Sequence, residues 1–415
     1  MPETCSAAAP QITTPLLARI FIPFACGYFI SYLFRTINAV ISPKLTQELG
    51  LDATSLGLLT SAYFFAFALF QFPLGVLLDR YGPRRVQAAL LTVAAGGALT
   101  FGLSHGLTGL LIGRALIGLG VSGCLMAAFK AFTQWFAAHK LPAMNGYVLA
   151  AGGLGALTAT IPVEAALRVT DWHTLFILLA AITLTIAALV FFVYPEREIA
   201  HGHATLREQL RGAASIFASG KFWRIAPLAI FIQATFMSIQ GLWAAPYLRD
   251  VAKLSQPEIA QYLFAMACAM VAGQFLSGTV ATALAKRGFA TSKLFALNAL
   301  VIVVVWSVIA MQWFPRSIIA WMVVGFCGSA SSLSYSILTP AFASSLAGRV
   351  NTAINLLVFV FAFIAQWAMG ATINLWPATQ NGYATQGYQA AFVTCLILQA
   401  LALAWYSFSA RKYPL

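Results

Sequence analysis

The sequence predicts an all-α membrane protein with twelve transmembrane helices in two pseudo-symmetric six-helix bundles. Three observations carry this. Of the 415 residues, 60% are hydrophobic and only 8% are charged, where a soluble protein carries roughly 25% charged residues. The apolar residues gather into twelve runs, each near the length of about 20 residues that a spanning helix needs. The two halves of the chain also repeat a pattern at one fixed offset.

The runs lie near 17–41, 54–78, 86–104, 108–134, 143–167, 174–194, 225–248, 257–282, 291–313, 317–343, 350–374 and 388–410. All are read as helices, because a backbone in lipid must satisfy its own hydrogen bonds. The longest polar stretch, Pro195 to Lys221, falls midway. This divides the chain into a bundle at 1–194, a cytoplasmic connector at 195–221 and a bundle at 222–415. Within the connector, 206–217 is expected to lie on the membrane surface as an amphipathic helix.

Orientation follows from Lys and Arg, which favour cytoplasmic loops. With the N-terminus inside, sixteen of the 24 basic residues fall in cytoplasmic segments, five outside and three within spans. Both termini are therefore expected in the cytoplasm and the chain in an inner membrane. The formal net charge of +13 is this loop bias rather than a nucleic-acid surface. No basic region precedes the first apolar run, so no cleaved signal peptide is expected. The six Cys show no CxxC spacing and mostly sit in apolar runs, as buried thiols do.

The repeat is specific in position. Gln71-Phe-Pro-Leu-Gly75 ends the second span and Gln274-Phe-Leu-Ser-Gly278 ends the eighth. Pro43-Lys-Leu45 ends the first and Pro246-Tyr-Leu248 the seventh, at the same offset of 203. Parallel repeats place a binding site between the halves near the bilayer midplane.

After the second span comes Gly75-Val-Leu-Leu-Asp79-Arg80-Tyr81-Gly82-Pro83-Arg84-Arg85. This resembles the signature loop of the major facilitator superfamily, and the span count, the connector and the duplication fit the same family. Gly75 permits close helix approach and Gly82 a tight turn. Asp79 is expected to pair with Arg80 or a facing base, so that Gly75, Asp79, Arg80, Gly82, Arg84 and Arg85 form a conformational latch. In the second half Thr282 takes the place of the acid, so a latch there is expected to be weaker or absent. Arg114-Ala-Leu-Ile-Gly118-Leu-Gly120 resembles the family's second motif, with Ile117 in place of the usual polar residue. Gly152, Gly153, Gly155 and Pro162 partly resemble its antiporter motif without the core of it, and are read as small-residue packing.

Arg35 is the most informative residue. Tyr28, Ser31, Tyr32, Arg35, Asn38 and Ser42 recur every three or four residues, which makes one polar stripe on a helix. An arginine inside a span must face water or a partner, and a bidentate guanidinium suits a carboxylate or phosphate. Arg35 is read as the substrate anchor, with Tyr28, Tyr32 and Asn38 beside it. The alternative is a structural arginine paired with a carbonyl or an acid. Arg114 and Lys130 are the other two bases within spans. Sixteen residues separate them, about 160° on a straight helix. Lys130 either snorkels to the interface or makes a second anion contact. Glu164 is read as the one carboxylate inside a span away from the cytoplasmic edge. It is either a proton-coupling group or the ion-pair partner of Arg114 or Arg35. In the second half Gln233, Gln240, Trp243, Tyr335 and Asn355 supply uncharged contacts or interhelical glue.

Enzyme readings lack residues. The five His lie in loops or near span ends, paired intramembrane carboxylates are missing, and there is no GxxxxGK[ST] loop. No metal or cofactor is expected. The expectation is a monomeric secondary transporter for a small carboxylate-bearing anion, working by alternating access. Proton symport would offset about 2.3 kcal/mol per charge per 100 mV of membrane potential. The alternatives are a drug or siderophore exporter of the same fold and, from another class, a non-transporting receptor or an intramembrane enzyme.

Overall fold

The computed structural model describes residues 14–137, 140–195, 214–342, 346–379 and 382–413. Most of the connector, including most of the proposed surface helix at 206–217, lies outside them. Twelve helices are long and apolar enough to cross a membrane. Span 1 is Thr14–Leu49, span 2 Ala53–Gln71, span 3 Pro73–Leu103, span 4 Leu107–Trp135, span 5 Ala143–Ala166 and span 6 Trp172–Val193. Span 7 is Gly220–Asp250, span 8 Gln256–Ala285, span 9 Thr291–Ala310, span 10 Ile318–Ala341, span 11 Arg349–Ile373 and span 12 Thr385–Phe408. Large apolar side chains such as Leu69, Phe192, Ile319 and Leu401 are exposed, as a lipid-facing surface requires. The protein is a multi-pass, all-α membrane protein.

The expected spans are present, with two kinds of difference. Helical backbone runs on from Ala53 to Leu103 and leaves helical dihedrals at Gly82, where a kink with φ 77° and ψ 164° joins two helices. The signature stretch is therefore mostly helical rather than a loop, and glycine alone makes the turn without strain. Four spans are also broken. Span 4 breaks at Ser122–Gly123, span 5 at Ala159–Thr160 and span 10 at Ser331–Ser332, and span 7 loosens into a π-turn at Ile239–Trp243. A break frees carbonyls that need donors. Gln71 Nε2 donates to the Ser122 carbonyl at 3.3 Å, and Gln233 Nε2 to the Ser331 carbonyl at 3.5 Å. In span 1, Pro43 cannot donate to the Ala39 carbonyl, and the Ser42 hydroxyl donates there at 3.2 Å instead.

The first six and last six spans meet along a seam formed by span 1 against span 7, span 2 against span 11 and span 5 against span 8. At the face carrying the loops after odd-numbered spans, hydrogen bonds cross the seam. Gln256 donates to the Val40 carbonyl at 3.3 Å, Asn374 to Asp52 at 3.1 Å and the Tyr383 hydroxyl to the Leu51 carbonyl at 3.2 Å. Deeper in, the Phe67 and Phe359 rings stack 4.0 Å apart. Trp243 fits between Gly57 and Gly370. At the opposite face Asp79 pairs with Lys130, and Arg224 donates to the Tyr413 carbonyl, each within its own half.

Candidate binding site at the seam

Span 1 packs mainly into the first half, where Tyr28 and Tyr32 of its polar stripe lie against Gly152 of span 5 and Asn38 bonds Thr60, while Arg35 reaches Phe359 of the second half. Gly152 and Gly155 on span 5 make the packing possible, since a Cβ at either would strike Tyr28 or the Phe29 backbone. The absent side chains let the Tyr28 and Tyr32 rings lie edge to face, 5.1 Å apart.

Arg35 sits at the seam, half-buried. Its guanidinium carbon lies 4.5 Å from the Tyr32 ring, 5.3 Å from Phe359 and 5.6 Å from Phe67. Tyr28 and Tyr63 also face it. Aromatic faces attract a cation without neutralising it. Among the described residues no carboxylate pairs with Arg35, and its Nε is buried without a hydrogen-bond partner. Across the seam Tyr335 comes near Tyr32, and its hydroxyl donates to Asn355 Oδ1 at 3.4 Å. Gln233, Tyr335 and Asn355 are half-buried like Arg35.

Arg114 shares the unpartnered buried Nε but differs in its other contacts. It is fully buried, donates from Nη1 to the Phe34 carbonyl at 2.9 Å and lies 5.2 Å above the Tyr63 ring. It braces span 1 one residue before the anchor and pairs with no acid.

Several roles expected from the sequence are corrected by these contacts. Lys130 Nζ bonds Asp79 Oδ1 at 2.7 Å, with both side chains about a third exposed at 34% and 30%. Its amine is the facing base of the latch, carried on the part of span 4 that follows the break at Ser122–Gly123, and it is not free to contact an anion in this state. Glu164 takes Arg168, one turn away, through two hydrogen bonds of 3.0 and 2.9 Å, and not Arg114 or Arg35. Nor is Glu164 the one deep carboxylate. Span 7 extends to Asp250, which is buried and bound by Arg249, the Tyr383 amide and the Tyr388 hydroxyl.

Asn38, Gln240 and Trp243 are buried and engaged. Asn38 donates to Thr60 at 3.1 Å, Gln240 to Met270 Sδ at 3.1 Å and Trp243 to the Gln366 carbonyl at 3.0 Å. In this conformation they pack the seam.

Within the latch stretch, Arg80 stacks on Tyr81 and Arg84 donates to the Phe191 carbonyl at 2.5 Å. Gly75 is half-buried in the helix, while Arg84 and Arg85 have further partners. Thr282, at the repeat position of Asp79, bonds back to the Gly278 carbonyl of its own helix.

Sequence reasoning missed Tyr63, Phe67 and Phe359. Nothing distinguishes them among 32 Phe and 13 Tyr until the helices are assembled.

Comparisons with known proteins agree with this architecture. The family model described as Major Facilitator Superfamily matches residues 24–366. A probable sulfoacetate transporter of Cupriavidus necator is 23% identical over 63% of this chain and 64% of that one. A probable L-galactonate transporter of Escherichia coli is 28% identical over 48% of this chain and 42% of that one. The hexuronate transporter of Escherichia coli is 25% identical over 57% and 58%. The chain thus spans under two-thirds of the length of each of these relatives. The crystal structure of a bacterial homologue of the human lysosomal transporter Spinster, inward-facing and unoccupied, superposes with a TM-score of 0.80 at 16% identity, covering 97% of this chain and 98% of that one. The D-xylose–proton symporter structure gives a TM-score of 0.72 at 14% identity, over 92% and 97%.

Proposed function

We propose a function on one established premise, that the chain belongs to the major facilitator superfamily. Family and fold are those of transporters, not enzymes. In our reading the protein carries a small organic anion across the inner membrane by alternating access. The two six-helix units at 1–194 and 222–415, joined by the connector at 195–221, rock about the seam. Both termini lie in the cytoplasm, following the Lys/Arg bias. The face sealed by Val40–Gln256, Asp52–Asn374 and Leu51–Tyr383 is then the outer one, closed in this conformation.

The observation that carries the reading is Arg35: a guanidinium in the middle of the first span, ringed by aromatics and facing no carboxylate among the described residues. Such a group is costly within a membrane unless an anion meets it. From the sequence, three basic side chains are read as lying within spans: Arg35, Arg114 and Lys130. Arg114 is spent on a carbonyl and Lys130 on Asp79, which leaves Arg35 to meet a substrate. Tyr28, Tyr32, Gln233, Tyr335 and Asn355 supply walls and hydrogen bonds. The relatives' names support the same chemistry, since sulfoacetate, galactonate and hexuronates are all small organic anions. Glu164, the expected proton group, is bound to Arg168 near the end of span 5, so our proposal covers the anion and the motion and leaves the proton out.

Calorimetric titration of the purified protein with galactonate, glucuronate, sulfoacetate and tartrate tests this. A charge-assisted hydrogen bond contributes about 1.5–3 kcal/mol, so Arg35→Ala should weaken the binding anion by about 10- to 150-fold while the protein stays folded. Arg35→Lys should recover little, because an ammonium cannot make the bidentate contact. Unchanged affinity in Arg35→Ala would remove this residue from the site.

A further inference from the structure

The eleven carboxylates of the chain can be taken in turn. Glu3, Glu196, Glu198 and Glu208 belong to the N-terminal stretch and the connector. Glu48, Asp52, Asp171 and Glu258 stand at helix ends on the odd-loop face. Asp79 is bound to Lys130, Glu164 to Arg168 and Asp250 to Arg249. Of the five His, His105 lies between spans 3 and 4 and His173 at the start of span 6, while 139, 201 and 203 lie outside the described residues. The groups that face Arg35 are Tyr28, Tyr32 and Tyr63, with Cys124 near and Arg114 behind the Phe34 carbonyl. Phenols and thiols are neutral near pH 7. Among the described residues, the centre therefore holds a fixed positive charge and no acid or imidazole to carry a proton with the cargo.

Two consequences follow. Among the described residues, a proton gradient has no acid or imidazole in the central site through which to act. The empty carrier also has a problem of its own. Alternating access requires the open face to close as the sealed face opens, so Arg35 must pass through a state shut on both sides. A bare guanidinium there loses its water and gains no counter-charge, whereas an anion in the site supplies one. Removing one partner of a buried charge pair is strongly unfavourable, so the loaded carrier should cross and the empty one should stall.

We infer that the protein is an obligate anion exchanger: each inward passage of an organic anion is completed by outward passage of a second small anion bound at the same guanidinium. This rests on the anion reading above and extends it to how the cycle is driven. The counter-substrate belongs to the same chemical class, an oxyanion able to take two hydrogen bonds from Arg35. Net uptake is then driven by the outward gradient of the second anion.

The test uses the purified full chain in proteoliposomes, in a buffer free of phosphate and carboxylates. Uptake of labelled galactonate, glucuronate, sulfoacetate or tartrate is measured into vesicles loaded with the same unlabelled anion, into empty vesicles, and into empty vesicles with acid outside. If an uncompensated buried charge stalls the empty carrier, loaded vesicles should take up label at least about tenfold faster than empty ones, and the acid gradient should not rescue the empty ones. Equal rates with and without internal anion, or accumulation in empty vesicles driven by the acid gradient, would overturn exchange and leave the anion reading standing. If none of the four anions binds or moves in any arm, the anion reading fails and exchange falls with it.

Discussion

Arg35 and Arg114 show how two identical side chains in one membrane acquire different work. Arg114 gives its Nη1 to the Phe34 carbonyl and is sealed under Tyr63, with no exposed surface. Arg35 is half-buried and meets only rings and phenols. The first is held by a backbone carbonyl; the second has phenols around it, with a side-chain hydrogen bond to Tyr63, and no carboxylate among the described residues. The distinction yields a stability prediction for Arg114. Truncation to Ala leaves a cavity below Tyr63, and large-to-small core changes cost about 2–5 kcal/mol. Methionine nearly restores the volume and removes a charge that is costly to desolvate, so Arg114→Met should cost far less, about 1 kcal/mol. Thermal unfolding in detergent separates the two. If Met proves as damaging as Ala, the bond to Phe34, not the volume, is what holds span 1. Sequence pattern identified Arg35 because its stripe recurs with the helical period. It could not show which base would meet Asp79, because Lys130 is 51 residues away on another span.

At the scale of the elements, the twelve spans were readable because lipid leaves the backbone one solution, and hydropathy reports its length. The breaks were not readable. Ser122–Gly123 and Ser331–Ser332 are small residues inside apolar runs, where they raise no hydropathy signal. What permits the breaks is a glutamine from another span that takes the freed carbonyl. The seam between spans 2 and 11 depends likewise on what is missing. A Cβ at Gly370 would fall on the Ala53 carbonyl and press on Trp243, and one at Gly57 would lie 2.9 Å from the Gln366 carbonyl. Backbone on both sides cannot give way cheaply, and overpacking costs about 1–3 kcal/mol. Gly370→Ala should therefore push spans 2 and 11 apart on the odd-loop face and move the population away from the sealed form. Spin labels at Asp52 and Asn374, read by pulsed electron resonance, should report a longer distance. An unchanged distance distribution would show that the seam absorbs a methyl and that Gly370 is not what sets it.

Over the whole molecule, the sealed face is a small set of polar contacts laid over a wide apolar seam, and that balance makes switching feasible. Asp250 organises one side of it. Its buried carboxylate is gripped by Arg249 and Tyr388 and receives the Tyr383 amide, which fixes the segment after span 11 so that the Tyr383 hydroxyl reaches the Leu51 carbonyl. A neutral hydrogen bond contributes about 0.5–1.5 kcal/mol net, so Tyr383→Phe should shift the balance between sealed and open outer faces by about 2- to 10-fold toward open. The same residue makes a prediction about pH. Burial, the largest cause, pushes the Tyr383 hydroxyl up from 10.0 to about 12, while a hydrogen bond with Thr46 and the nearby Arg249 pull the other way. The raised value means that the sealed form holds this proton more tightly than a solvated tyrosine does. Its contribution is whole below pH 10 and is lost as the pH climbs through about 12. Between neutrality and pH 9 the seal should not change through this group. Accessibility of a cysteine introduced at Leu51 to an impermeant reagent gives the measurement: low and flat across that range in the parent, raised and equally flat in Tyr383→Phe. A pH-dependent opening in the parent that disappears in Tyr383→Phe would mean that the hydroxyl ionises far more easily than its burial implies, and that the outer face senses pH through it.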